Sequence, residues 1–446
     1  MGKVLTGRRS GRRWDGIRWI AALPVAGAAG LGTVGSWGDP ADAQGRDGGG
    51  LRMTWGIEQR FETDTNSDLD PGGSEDTRQA ATRLSFGLTS TTRESSLSFG
   101  TSGLLRIASG PDFDGTEAEL TDPTATIGYT RRSANADLDF SGRYRESDVA
   151  FLRPLEDFVD ADGNLDLPDD LEDLNGNGTR RNLRANLGLS WGRNAPVGFG
   201  ITGGYSIIDY SNTTSAALVD SRRANAGANL RVEIAPATTA TAGLRFATFD
   251  DDDPTSSRRN TYGLNLGLSR AVERGSWSVG FNLDDTEDGT QTGASLGREI
   301  RLPRGSLSTR VGVTAGAEGG VDLTGSLGYS QALSRLSSVS ANLTRSITQG
   351  SDDTERLLTA VSLGYSHTLS RLSSLSVDVL ASESEDTASN LATRNASFGV
   401  SYSRSLTQDW GMSLGYRHRI RDEDRAPSAN SDSFFLTIRR NFEIKY

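Results

Sequence analysis

The chain has 446 residues, 35% hydrophobic and 24% charged, with a formal net charge of −11, 53 glycines, two histidines and no cysteine. Without cysteine there is no disulfide framework, thiolate metal site or cysteine nucleophile. Two histidines leave little for a histidine-built metal or active site, and a net-negative chain is a poor ligand for nucleic acid.

Residues 1–18 carry Lys3, Arg8, Arg9, Arg12, Arg13 and Arg18. An apolar stretch from Trp19 to Val34 follows, then Ala41-Asp42-Ala43. A charged start, a short apolar middle and an A-x-A site predict a secretory signal peptide over 1–43. The apolar stretch is short for a bilayer-spanning helix. The expected mature chain, 44–446, is an exported and still more acidic protein.

From residue 44 onward the pattern has period two, as half-buried strands require. Leu51, Met53, Trp55, Ile57 and Phe61 share one face, and Arg52, Thr54, Gly56, Glu58 and Arg60 the other. The design recurs in Leu84/Phe86/Leu88, Leu138/Phe140/Tyr144, Leu183/Leu187/Leu189/Trp191, Tyr262/Leu264/Leu266/Leu268 and Trp410/Met412/Leu414/Tyr416. There are about twenty such segments of roughly ten residues, the length of a tilted membrane-spanning strand; a soluble strand averages about five or six. The predicted fold is all-β: one transmembrane antiparallel barrel of about 20 strands, with 18 or 22 as neighbouring solutions.

Connector lengths support this. Short links such as 91–95, 132–136, 192–196, 271–275 and 303–305 alternate with long polar ones, as periplasmic turns alternate with external loops. The short links carry Arg93, Arg132, Arg193, Arg274 and Arg304, whereas the long ones are acidic, as at Asp250–Asp253. One hairpin repeats: Gly328-Tyr329-Ser330-Gln331-Ala332-Leu333-Ser334-Arg335 returns as Gly364-Tyr365-Ser366-His367-Thr368-Leu369-Ser370-Arg371. Tyr129, Trp191, Tyr329, Tyr365 and Tyr402 end strands and predict an interfacial aromatic girdle.

The last segment, Phe434 to Tyr446, alternates apolar residues and ends on an aromatic. It resembles the C-terminal strand of Gram-negative outer-membrane β-barrel proteins, and the whole mature chain looks porin-like. Arg440 and a terminal tyrosine depart from the family pattern. The resemblance implies an outer-membrane location, contact with outer-membrane lipid and lipopolysaccharide, and recognition by the barrel-assembly machinery through Phe442, Ile444 and Tyr446. It is compatible with a homo-oligomer.

If apolar positions face lipid, their neighbours face a lumen. That places Arg52, Arg60, Arg83, Arg106, Arg143, Arg145, Arg184, Arg231, Arg245, Arg310, Arg417 and Arg419 inside, with Glu58, Asp284 and Asp378 among fewer acids. Such a wall can guide anions; the bland alternative is that the arginines pair with acids and fill space. The longest link, 147–180, carries Asp157, Asp160, Asp162, Asp166, Asp169 and Asp170. It either stays in solvent or folds inward as a constriction. Asp160, Asp162, Asn164 and Asp166 space oxygens at alternate positions, a pattern that calcium can use, although position twelve lacks the expected glutamate. No other cofactor is expected, nor any enzyme activity: His367 and His418 have no motif around them, and Ser366 and Ser403 are candidates by composition only. The expected function is passive passage of small hydrophilic solutes with mild anion preference. The alternative is a non-conducting structural barrel, or one serving assembly or export, for example of polysaccharide.

Overall fold

The structure, a computed structural model, describes residues 50–445 apart from 70, 74, 75, 111–116, 161, 162, 169, 175, 253–257, 288, 318 and 351–353; at 117–119 and 172 it describes the backbone alone. The expected signal peptide over 1–43 and Tyr446 of the terminal motif lie outside the described residues.

Twenty strands follow one another. They are β1 (Gly50–Asp64), β2 (Thr77–Thr91), β3 (Ser95–Ser109), β4 (Glu117–Arg132), β5 (Ala136–Asp148), β6 (Thr179–Trp191), β7 (Val197–Ser211), β8 (Ser221–Ala235), β9 (Thr238–Asp251) and β10 (Arg259–Val272). The second half comprises β11 (Gly275–Thr286), β12 (Gly289–Leu302), β13 (Gly305–Ala315), β14 (Val321–Ala332), β15 (Ser337–Gln349), β16 (Glu355–Ser370), β17 (Ser373–Asp386), β18 (Ala392–Ser405), β19 (Trp410–Glu423) and β20 (Ala429–Lys445). Each pairs antiparallel with its chain neighbours. β1 also pairs with β20, with Trp55 opposite Phe442 and Phe61 opposite Leu436, so the sheet closes and no edge is left unpaired.

The alternation read from the sequence decides which face is which. Leu84, Leu244, Val313 and Phe434 are 59%, 62%, 48% and 56% exposed on the outer face. Residues at the alternate positions, such as Arg106, Ser397, Arg419 and Ser433, are buried inside. A solvated exterior would waste about 1.5–3 kcal/mol for each such apolar side chain, which lipid recovers. Outward Arg440 does not break the belt, because its guanidinium lies over Trp410 and Phe442, 5.3 and 4.4 Å from the ring centroids.

The strands are longer than the periodicity predicts, running up to 17 residues in β20. Pairing continues above the apolar belt, where outer-face polar groups such as Arg181 and Glu146 meet at 3.1 Å. The length asymmetry of the links also has a limit. Links 65–76, 149–178 and 212–220 are long, but β11 and β12 are joined by 287–288 alone. Thr286 pairs directly with Gly289 there, and Gly289 takes φ +138, which makes the tight turn affordable to the backbone.

The closing seam is polar and buried. The Asp64 carboxylate accepts from Arg419 Nη2 and from Ser431 Oγ, tying β1 to β19 and β20. Arg419 therefore serves the seam and does not present a free guanidinium to the lumen.

Candidate functional site: a lumen divided by an inward strut

The link between β5 and β6 enters the barrel. It starts with a short 3-10 turn at Val149–Phe151, followed by others at Glu156–Phe158 and Leu171–Asp173. Its middle is a miniature hairpin: Val159 bridges Leu165, and Asp166 N–H donates to Phe158 C=O at 2.8 Å. Gly163 turns the tip with φ +82, a region in which a β-carbon would be strained. Val149, Leu171 and Leu174 pack with Leu218 into a small core, with Leu152, Phe158, Leu167 and Tyr210 against it. The acidic composition of the link hides this apolar set, which gives the segment a fold of its own.

Both flanks and the tip are fastened to the wall. Arg153 donates to Glu62 of β1 at 2.5 Å. Asp157 pairs with Arg145 of β5 at 3.1 Å. Glu156 pairs with Arg417 of β19 at 3.1 Å and accepts from Ser397 Oγ of β18 at 2.5 Å. At the tip, Asn342 of β15 and Ser362 of β16 both donate to the Gly163 carbonyl. In a closed ring of twenty strands, β5–β6 and β15–β16 are diametrically opposed. The segment is thus a strut across the lumen. Asp166 and Asp170 brace its return, against Arg184 at 3.4 Å and Arg180 at 2.8 Å.

The strut's charges are tuned by these contacts. Enclosure in the lumen pushes the Asp157 carboxyl up, but Arg145 and Arg153 outweigh it and hold the group below the usual carboxylate range. Arg153 shows the mirror case: burial lowers it, while Glu62, Asp157 and Glu156 together raise it above its ordinary value.

Two chambers result. One, of about 770 Å³, lies between the strut and β1–β5 with β20. Its wall is densely ionic, and most of those charges are matched. The other, of about 630 Å³, is bounded by β8–β10 with Gln349 of β15. Its lining holds Arg223, Arg245 and Arg259 but no carboxylate.

The twelve arginines placed inside by sequence have separate fates. Arg60, Arg106, Arg145, Arg184, Arg245, Arg417 and Arg419 pair with Glu62, Asp122, Asp157, Asp166, Asp284, Glu156 and Asp64 respectively. Arg52 pairs with Glu443 near the barrel's foot. Arg231 pairs with Glu233 and also donates to the carbonyls of Gly192 and Ala195, clamping a short turn. Among the described residues, Arg83, Arg143 and Arg310 have no carboxylate within ion-pair distance. Arg83 and Arg143 line the first chamber, together with inward-facing Arg439 of β20.

The oxygens offered for calcium are engaged by the chain itself. The Asp160 carboxylate accepts from Asn164 N–H at 2.8 Å and Asn164 Nδ2 at 2.9 Å, and Asp166 faces Arg184. Asp162 and Asp169 lie outside the described residues. Among the described residues no group of three or more His, Cys, Asp or Glu side chains could hold a metal ion. The histidines are held apart: His367 meets Ser337 at 2.8 Å on one hairpin, and His418 meets Asp432 at 2.8 Å on another. Ser366 and Ser403 bond to Ser338 and Ser413, so no relay of acid, histidine and either serine is assembled.

Sequence reasoning missed the strut's anchors, Arg153, Glu156, Asn342, Ser362 and Ser397. The available signal was the apolar run Val149, Leu152, Leu155, Phe158, Leu167, Leu171 and Leu174, unusual in a link otherwise dominated by acids.

An apolar outer belt, a polar interior and a sheet closed on itself define a transmembrane-type β-barrel. No family model and no curated protein matches the chain. Solved structures of similar shape include the outer membrane channel DcaP of Acinetobacter baumannii, at 12% identity and TM-score 0.39, covering 89% of this chain and 99% of that one. OccK5 of Pseudomonas aeruginosa matches at 11% identity and TM-score 0.38, covering 88% and 98%. The siderophore receptor PirA of Pseudomonas aeruginosa matches at 13% identity and TM-score 0.47, covering 88% and 80%.

Proposed function

We propose that this protein is a bacterial outer-membrane channel through which small hydrophilic solutes diffuse passively, with the strut 149–178 as its sieve. The observation that carries the proposal is the divided polar lumen: the strut crosses the barrel, yet chambers of about 770 and 630 Å³ remain on its two sides. A barrel of this width holds water wherever side chains and loops do not fill it.

Anion preference, in this proposal, has a narrower origin than an arginine ladder. Nine of the twelve arginines form ion pairs, which cancels most of their field at a distance. The bias comes from the described inward arginines that have no carboxylate at ion-pair distance, Arg83 and Arg143 in the first chamber and Arg310 on β13. A positively lined path raises the local concentration of anions. Outer-membrane lipid and lipopolysaccharide would cover the apolar belt, and Phe442 and Ile444 on the outer face of β20 would serve barrel assembly.

The test is reconstitution in planar bilayers. Stepwise openings with modest anion selectivity support the proposal, and replacing Arg83 and Arg143 by glutamine should reduce the selectivity. A barrel that inserts but passes no current favours a structural or export-associated role. Cation-selective current overturns the anion reading while leaving the channel intact.

A further inference from the structure

One level of the lumen wall has a composition that ion passage does not explain. The register aligns Gly200, Asn229, Gly243, Asn265, Asn282 and Gly293 as direct neighbours on β7 to β12. Every member is glycine or asparagine. With strands about 4.8 Å apart, the row spans about 24 Å of wall. A second row repeats the theme, with Gly204 between Asn186 and Asn225.

The glycines have a physical role here. A β-carbon on Gly200 would meet the Asn229 side-chain oxygen, and one on Gly293 would meet that of Asn282. Each amide therefore lies flat across a neighbour that has no side chain. The wall is recessed where it is amide-rich, and polar groups line it without narrowing it. Asn229 and Asn265 are exposed to the lumen. Among the described residues, the side chains of Asn225, Asn229 and Asn265 make no hydrogen bond within the protein. They line the second chamber with the hydroxyls of Thr241 and Thr261.

Each carboxamide offers two donors and two acceptor lone pairs. A hydroxyl is likewise both donor and acceptor. An ion gains little from such a band, because no member carries formal charge. A solute with several hydroxyls on a rigid frame can meet several amides at once. The charge-free stretch also spares a neutral solute from displacing the tightly held water of a charged group.

We infer that the amide band on β7–β12 is a binding track for neutral polyhydroxylated solutes, saccharides above all, on the β8–β10 side of the strut. The inference rests on the channel reading for its purpose, but binding itself can be tested without current.

The experiment titrates maltotriose into the full-length barrel, held in a detergent without a sugar headgroup, by calorimetry and saturation-transfer NMR. Gluconate serves as a charged comparison. Asn229→Leu/Asn265→Leu keeps side-chain volume and removes both amides; Asn229→Gln/Asn265→Gln restores amides. Heat-modified gel mobility confirms that each variant is a closed barrel. The wild type should bind maltotriose, the leucine pair at least about tenfold more weakly, and the glutamine pair close to wild type, as expected for the loss of two neutral hydrogen bonds. Equal affinity in wild type and leucine pair, or no binding to wild type, overturns the inference. Conductance measured in parallel separates the two readings. Current without saccharide binding removes this inference alone. Saccharide binding without current removes the channel reading and leaves the track standing.

Discussion

Glu156→Gln tests whether the strut is fastened or merely resting in the lumen. Glutamine keeps the length of the side chain and an oxygen that can still accept from Ser397, but removes the charge facing Arg417. The wild-type pair is at 3.1 Å, with side chains 16% and 9% exposed, so water screens it poorly. The contact has ion-pair distance without hydrogen-bond geometry at Arg417 Nε, Asp378 at 3.7 Å still faces the guanidinium, and the chambers on either side are wet, which puts the loss between the exposed and buried limits, at about 1–2 kcal/mol. A loss of about 1–2 kcal/mol shifts an equilibrium by a factor of about 5–30. Undocked excursions of the strut should become more frequent by that factor. Single-channel recording would show it as added gating noise, and limited proteolysis as faster cleavage within 149–178. Glu156→Ala, which also removes the acceptor for Ser397, should exceed it in both assays. Identical dwell times and cleavage rates in wild type and both variants would refute the idea that Glu156 latches the strut.

Four further outcomes are expected. Asp157 is held below the usual carboxylate range, so its contribution to docking is present above the unfolded value of about 3.9 and is lost as pH falls through the lower folded value; protease protection of the strut should persist at pH 5 and fade only in stronger acid. Calcium chelation should leave that protection unchanged, because Asn164 and Arg184 already satisfy Asp160 and Asp166; a loss on adding chelator would show a bound ion. Asp64→Asn should cost about 3–5 kcal/mol at the seam, since Arg419 is 4% exposed and would lose its counter-charge, and heat-modifiability on gels should shift to lower temperature. Arg440→Ala should cost about 0.5–1 kcal/mol for each lost ring contact, read as a lower unfolding midpoint in micelles.

The structure changes the account of the charged interior. A count of inward arginines suggests a basic wall. Pairing alters the consequence. Arg60, Arg145 and Arg417 hold the strut or its immediate frame, Arg419 closes the seam, and Arg231 fixes a turn. The remainder, among the described residues, is Arg83 and Arg143 with Arg439 beside the first chamber and Arg310 on β13, while the second chamber is lined by arginines and amides without a carboxylate.

Period-two alternation by itself determined the all-β class, a strand number near twenty and the lipid and lumen faces; the count of twenty and the β1–β20 closure came from the structure. The faces are a local property: a side chain and its neighbour point to opposite faces whatever the rest of the chain does. That is why Trp55, Leu84 and Phe434 were assigned to the outside, and Arg106 and Arg417 to the inside, from sequence alone. Tertiary structure alone decided what the inward groups meet. Glu156 is 241 residues from Ser397, and Gly163 is 199 from Ser362, distances in sequence that no local pattern encodes. The alignment of Asn229, Asn265 and Asn282 into one band depends likewise on the register of each hairpin, which the turns and bulges fix residue by residue. Faces are set by geometry within a strand, and partners by how twenty strands close into a ring.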